Sequence, residues 1–224
     1  MAEMKRRCVR RFLLLAVASG CISGSQAVFA QSNSPAATLA AEPRGVYARI
    51  DMRPTQEMIR RLGVAFGSDR RAAMREVAKD ASAYMPPVLY ALANALAEDY
   101  AEEAIFWYHV GRIRAVYDSL RCKDASARGG VTVLGQGLNM DLRTSMFYRR
   151  DRLVAIAQKA IDWDLKNPPR YDHRWIALYG KVAASSAGTN PDEVTVPESE
   201  WPAILRRVHG THLKSVQDFV NEKK

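Results

Sequence analysis

The chain contains only 4 histidines and 3 cysteines among its 224 residues, and it lacks the common catalytic motifs. There is no HExxH pair, which many zinc hydrolases carry, and no GxSxG turn to hold a hydrolase serine. The LGQG stretch at residues 134–137 is not followed by Lys-Ser or Lys-Thr, which argues against a phosphate-binding loop. We therefore predict that the protein is not an enzyme and has no catalytic residue, metal or cofactor.

Long hydrophobic runs are also scarce. The apolar stretch FLLLAVA at residues 12–18 is far shorter than the roughly 20 residues that cross a bilayer, and no later stretch is comparable. Basic residues precede it, and AVFA at residues 27–30 has small side chains at the positions that a signal peptidase reads. These features predict a secretion signal over residues 1–30 and a periplasmic protein.

A second processing site competes with cleavage after Ala30. The stretch VASGC at residues 17–21 resembles a bacterial lipoprotein box, although Ala18 stands where such boxes usually have Leu. This resemblance implies acylation of Cys21 and an outer- or inner-membrane lipoprotein. Contact with a membrane is therefore expected only under this alternative.

Removal of the first 30 of 224 residues leaves 194, a length that suits one compact domain with a sizeable core. Loss of five basic residues and Glu3 lowers the formal net charge from +9 to +5. Because the remaining basicity is modest and an exported protein rarely meets nucleic acid, we predict no nucleic-acid partner.

Cys122 is the one cysteine left after that cleavage, so no internal disulfide can form. Cysteine is among the most commonly buried residues, and we interpret Cys122 as a core residue. Two alternatives stay open, namely pairing between molecules and a catalytic thiol whose pKa is lowered by Arg121 and Lys123.

Helical periodicity dominates the sequence, and we predict an all-α fold with a flexible leader over residues 31–53 and one irregular helical domain over residues 54–224. The Gly- and Ser-rich segment 123–141 is the exception, and we expect a loop there with at most a small hairpin at Val131–Leu134. The last helical stretch is expected to be interrupted near Gly210.

The run from Ala101 to Cys122 carries apolar residues on two opposite faces of a helical wheel. This pattern predicts a central helix packed between neighbours. Small residues on one face, including Gly111, would let a neighbouring helix approach closely. Polar residues such as His109 and Asp118 lie at the edges between the two faces.

A short stretch, Pro87 to Ala115, resembles one helix-turn-helix of the tetratricopeptide or Sel1-like kind. The resemblance is carried by Ala and Tyr in the first helix and by the EAIFWYHVG sequence in the second. No second copy follows at a fixed period, whereas a true array needs several stacked units. We therefore expect one repeat-like hairpin inside a single domain.

Two stretches, FYRRDR and PPRYDHRW, combine aromatic and basic residues near helix ends. Tyr, Trp and Arg are enriched at binding hot spots because rigid rings and planar guanidinium groups bury area at little entropic cost. In the alternative interpretation, Tyr171 and Trp175 close the core. The predicted partner-binding residues are Tyr148, Arg149, Arg150, Arg170, Tyr171, His173, Arg174 and Trp175.

The remaining candidates for chemistry are few. His209 and His212 are three residues apart and could share one helix face, but no third metal ligand is evident, so we interpret them as surface histidines. Asp162 and Asp164 are two residues apart and would point to different sides of a helix, which does not suit a glycan-cleaving carboxylate pair.

An exported helical domain without a recognisable catalytic set is expected to work by binding another protein. The chain is similar in type to small periplasmic immunity proteins of interbacterial toxin systems, which implies binding and neutralisation of a toxin. The alternative is a cell-envelope scaffold or accessory protein, and a second alternative is an enzyme that acts on the cell wall.

Overall fold

The fold is built around one long helix, Ala101–Arg121, which contacts other helices on several sides. A computed structural model of the protein describes residues 45–185 and 194–222, and these ranges contain no β-strand. The all-α class predicted from the sequence is confirmed. In chain order the α-helices are α1 (Arg53–Gly63), α2 (Ser68–Lys79), α3 (Pro86–Leu96), α4 (Ala101–Arg121), α5 (Gly129–Gln136), α6 (Met140–Tyr148), α7 (Leu153–Lys166), α8 (Lys181–Ser185) and α9 (Trp201–Asn221).

The first helices begin where the sequence predicts. Pro54 lies in the first turn of α1, and Pro86 and Pro87 open α3, because proline is preorganised for a position that needs no backbone N–H donor. A 3-10 turn at Gly45–Arg49 precedes α1, and its Val46 and Tyr47 side chains are buried in the core. The folded part therefore includes residues that the sequence assigned to the flexible leader.

Helices α3 and α4 form an antiparallel hairpin joined by residues 97–100, and they approach closely at Gly111. A Cβ atom added at Gly111 would lie 3.1 Å from Leu89 Cβ and 3.0 Å from Tyr90 Cδ2. Such contacts are tighter than normal packing allows, so only glycine fits without movement of α3. This close approach confirms the predicted role of the small residues on α4.

We expect Gly111→Leu to lower the free energy of unfolding by about 1 to 3 kcal/mol, because the added side chain has no space beside Leu89 and Tyr90. Urea denaturation followed by circular dichroism measures this change. Gly210→Leu is the matched control, because Gly210 is also inside a helix but has no neighbouring atom within 4 Å of an added Cβ. The control should be neutral or about 1 kcal/mol more stable. Equal losses in both variants would contradict the close approach.

Two sequence predictions about glycine are wrong. Residues 129–136 form α5 rather than a loop with a hairpin, because Gly130 is a packing position: a Cβ there would lie 2.7 Å from Ile176 Cδ1. Helix α9 also continues through Gly210 without a break. The neighbouring Val208 and His209 are buried, and this packing offsets the helix-weakening effect of one exposed glycine.

The polypeptide after α7 contains a 3-10 helix, His173–Tyr179, and the short α8. Residues 194–196 then return beside the end of α4, where Lys123 donates its backbone N–H to Val194 at 3.0 Å. The predicted signal peptide, the cleavage site and Cys21 lie outside the described residues. Within the described residues, no helix combines the length and apolarity needed to span a bilayer.

Candidate binding surface and buried polar network

The first predicted binding stretch is exposed at the C-terminal end of α6. Asn139 caps this helix through a side-chain bond to the Leu142 backbone N–H, and Asn139 is itself held by Asn94 of α3. The helix ends in two adjacent aromatic residues, Phe147 and Tyr148, whose side chains are 64% and 76% exposed. Their rings contact edge to face with centroids 5.6 Å apart. Two large rings are thus presented to solvent from an anchored helix.

Arg150, two residues after Tyr148, contacts the last turn of α9. Its guanidinium lies 4.6 Å from the ring centroid of Phe219, and its Nε donates to the carbonyl oxygen of Val220 at 3.2 Å. The Phe219 ring is 45% exposed. Within the described residues, the neighbouring Arg149 guanidinium has no carboxylate partner. We call the surface of Phe147, Tyr148, Arg149, Arg150 and Phe219 the aromatic patch.

The second predicted stretch belongs mainly to the interior. Trp175 is 0% exposed and donates its Nε1–H to Asp118 at 2.7 Å, so its assignment to a binding surface is wrong. Tyr171 is partly buried and donates its hydroxyl to the same carboxylate at 2.9 Å. These contacts support the alternative in which Tyr171 and Trp175 close the core.

The charged members of the second stretch are occupied locally. Arg170 pairs with Asp80, and Arg174 forms several hydrogen bonds to Asp172. The ring of His173 contacts Trp201 with centroids 4.9 Å apart, and burial lowers the pKa of His173 to about 4. Within the described ranges, no hydrogen bond, ion pair or ring contact joins this stretch to Tyr148, Arg149 or Arg150.

Asp118 of α4 is fully buried and collects several donors. It accepts hydrogen bonds from Trp175, Tyr171 and Arg121, which hold the 171–175 segment against α4. Burial raises the pKa of Asp118 to about 6, although these donors oppose the shift. The arrangement is the kind of satisfied buried polar group that fixes one packing of a core.

A second buried carboxylate, Asp164, connects three helices. Its Oδ1 accepts from Arg114 Nε of α4 at 2.8 Å, and its Oδ2 lies 3.0 Å from Nε2 of His209 in α9. The Arg114 side chain is fully buried and also donates to the carbonyl oxygens of Ala81 and Asn167. This cluster ties α4, α7 and α9 together at their centre.

His109 of α4 and His212 of α9 form a buried pair, with Nδ1 of the first 3.0 Å from Nε2 of the second. Burial lowers the pKa of His109 to about 3 and that of His212 to about 4, so both rings are neutral near pH 7. The prediction that His209 and His212 lie on the surface is wrong. Their spacing places both on the side of α9 that faces α4 and α7.

Cys122 is a free, buried cysteine at the end of α4, which confirms its interpretation as a core residue. Burial raises the pKa of its thiol, whereas a reactive cysteine needs a lowered one. Among the described residues, no group of three or more histidine, cysteine and carboxylate side chains is arranged to hold a metal ion.

A second surface with exposed aromatic residues lies near the start of α2. Phe66 is 83% exposed beside a groove of about 390 Å³ between α2 and the α3–α4 turn, and Tyr100 also lines it. The groove wall carries both arginines and carboxylates, including Arg75 and Asp99. We call it the Phe66 groove, and its mixed charge distinguishes it from the aromatic patch.

The fold and these surfaces define an all-α protein with a buried polar core and an exposed patch of aromatic and arginine residues. No family model matches the chain, and neither a curated protein nor a solved structure matches it. The tetratricopeptide or Sel1-like resemblance of Pro87 to Ala115 therefore stays a prediction.

Proposed function

We propose that this is an exported protein-binding protein whose contact surface is the aromatic patch. Three exposed rings lie there with two arginines, and these residue types carry much of the binding energy in protein interfaces. Single exposed apolar residues are ordinary on protein surfaces, but a group of large rings at one place favours a binding site. The proposal is carried by the exposure of the adjacent Phe147 and Tyr148 rings, together with the exposed Phe219 ring that Arg150 contacts.

Within this class, we propose a periplasmic immunity protein that covers the functional surface of a toxin. The predicted secretion signal would bring the chain to the compartment where such toxins arrive. The predicted lack of a catalytic set and the anchored, solvent-facing rings both suit an inhibitor that acts by occupying a surface. A rigid surface limits the entropy lost on association, which favours tight binding.

The first test is a pull-down from the periplasm of the native host, with protein identification by mass spectrometry. The affinity tag should be placed within residues 31–44, because a C-terminal tag would lie close in sequence to Phe219. The intact mass of the bait distinguishes cleavage after Ala30 from acylation at Cys21. A captured toxin that harms the cells once this gene is deleted supports immunity. Capture of envelope assembly proteins supports the scaffold alternative.

We expect the double variant Tyr148→Ala/Phe219→Ala to weaken partner binding by at least about tenfold, because each truncated ring removes buried contact area at the patch. Surface plasmon resonance with the captured partner measures the change. The matched control is Phe66→Ala/Tyr100→Ala, which removes two exposed rings from the Phe66 groove and should leave affinity within about twofold. A loss confined to the control variant would assign binding to the Phe66 groove instead.

A further inference from the structure

A groove beside α9 is a second candidate binding feature, separate from the aromatic patch. A groove of about 290 Å³ lies between α4 and α9. Its two walls repeat every four residues, which places their side chains in rows along the helices. The groove is lined by Arg112, Val116 and Leu120 of α4 and by Arg207, Val208, Thr211, His212 and Ser215 of α9.

The groove is positively charged without a balancing carboxylate. Arg112 and Arg207 line it, and its lining contains no Asp or Glu. Within the described ranges, neither guanidinium forms an ion pair with a carboxylate. The arginines of α1 and of the 170–174 segment do have such partners, whereas Arg206, like Arg207, has none among the described residues. Two arginines facing one groove therefore offer paired recognition of anionic oxygens.

The remaining lining is suited to a peptide rather than to a bare ion. Val116, Leu120 and the buried Val208 supply an apolar base, while the hydroxyl groups of Thr211 and Ser215 can bond to main-chain amides. A segment that alternates acidic and apolar side chains would satisfy both features, because successive side chains of an extended chain point to opposite sides.

The groove and the aromatic patch both include residues of α9. Arg207, Thr211 and Ser215 follow one another at four-residue intervals, and Phe219 is one interval further along, about 120° around the helix axis from Arg207. Twelve residues of helix from Arg207 to Phe219 span roughly 18 Å, a distance that about six extended residues can cover. One partner protein is large enough to contact both surfaces.

We propose that the protein partner inserts an acidic segment with apolar side chains into the α4–α9 groove, where its carboxylates pair with Arg112 and Arg207. This inference rests on the proposed protein-binding function and specifies the chemistry of the partner. The aromatic patch supplies apolar anchoring, and the groove selects for negative charge. Electrostatic pairing of this kind mainly sets association rate and partner choice.

The direct test uses a fluorescein-labelled peptide of about eight residues that alternates Asp with Leu, compared with a peptide in which Lys replaces Asp. Fluorescence anisotropy at about 50 mM salt should show binding of the acidic peptide alone, weakening as salt is raised. Arg207→Glu should reduce its affinity by at least about tenfold, and Arg112→Gln should also reduce it. Equal binding of both peptides, or no binding up to about 1 mM, would overturn the proposal.

Arg206→Glu is the matched control for Arg207→Glu. Both substitutions make the same charge change at adjacent exposed positions of α9, but Arg206 does not line the groove. The control should retain acidic-peptide affinity within about twofold. Circular dichroism melts of each variant separate loss of binding from loss of folding.

The captured partner distinguishes failure of this proposal from failure of the function itself. If Tyr148→Ala/Phe219→Ala abolishes capture while Arg207→Glu leaves affinity unchanged, the aromatic patch stands and the acidic-segment proposal falls. If neither variant weakens capture, both proposals fall. A loss with Arg207→Glu but not with Arg206→Glu supports the groove as part of the interface.

Discussion

Replacement of Asp164 by Ala is expected to lower the free energy of unfolding by about 3 to 5 kcal/mol. The carboxylate of Asp164 is the buried counter-charge of Arg114 and also contacts His209. Its removal leaves a fully buried guanidinium without its negative partner, and the desolvation cost of Arg114 is then no longer offset. Since the total stability of a domain is about 5 to 15 kcal/mol, one substitution would consume a large part of it.

Urea denaturation at pH 7 followed by tryptophan fluorescence measures this loss. Asp162→Ala is the matched control, because Asp162 lies two residues away on α7, is exposed, and accepts a hydrogen bond from Gln158. The control should change stability by less than about 0.5 kcal/mol. Asp164→Asn should fall between the two, because its amide oxygen can still accept from Arg114. A loss below about 1 kcal/mol for Asp164→Ala would contradict the role assigned to the cluster.

Local signals in the sequence were sufficient to predict many helix starts. Pro54, Pro86 and Pro87 act within their own turns, so their effect does not depend on distant partners. The two-faced pattern of α4 also predicted a central helix correctly. In both cases the information lies within a few residues of the feature that it predicts.

The errors concern residues whose environment is set by distant parts of the chain. The high glycine content around Gly130 predicted a loop. In the structure Gly130 packs against Ile176, which is far away in sequence. His212 is buried because it meets His109, 103 residues earlier. No local pattern specifies such pairings, although the i, i+3 spacing of His209 and His212 did indicate that they share one face.

The sequence predicted some residues of the aromatic patch but not others. Tyr148 and Arg149 lie at the end of a short helix, where side chains project whatever the rest of the fold does. Trp175 has similar sequence surroundings, but Asp118 provides a buried acceptor for its indole N–H, which draws it into the core. The contribution of Phe219 to the patch could not be predicted, since it depends on the end of α9 meeting Arg150.

Acidification is expected to destabilise the protein steeply between about pH 6.5 and pH 4, through the buried pair His109 and His212. An unfolded histidine has a pKa of about 6.5, whereas burial lowers the pKa of His109 to about 3 and that of His212 to about 4. In this range the unfolded chain binds more protons than the folded protein, so stability falls as pH falls. The contribution of the pair is fully present only above about pH 6.5.

Asp118 acts in the opposite direction. Burial raises its pKa from the ordinary value to about 6, so between about pH 6 and pH 4 the folded protein binds this proton more readily than the unfolded chain does. Burial also lowers the pKa of His173 to about 4, so three histidines against one carboxyl leave a net difference of about two protons. The free energy of unfolding should therefore fall by about 2 to 3 kcal/mol per pH unit in this range.

Urea denaturation between pH 7.5 and pH 4, at steps of about half a pH unit, measures how the free energy of unfolding changes with pH. The variant His109→Leu/His212→Leu removes both titrating groups together and leaves neither ring without its partner, so a large loss of stability at pH 7 is not expected. Its stability should change little with acid in this range, because the remaining His173 and Asp118 act in opposite directions. A slope equal to that of the unsubstituted protein would show that other groups control the response.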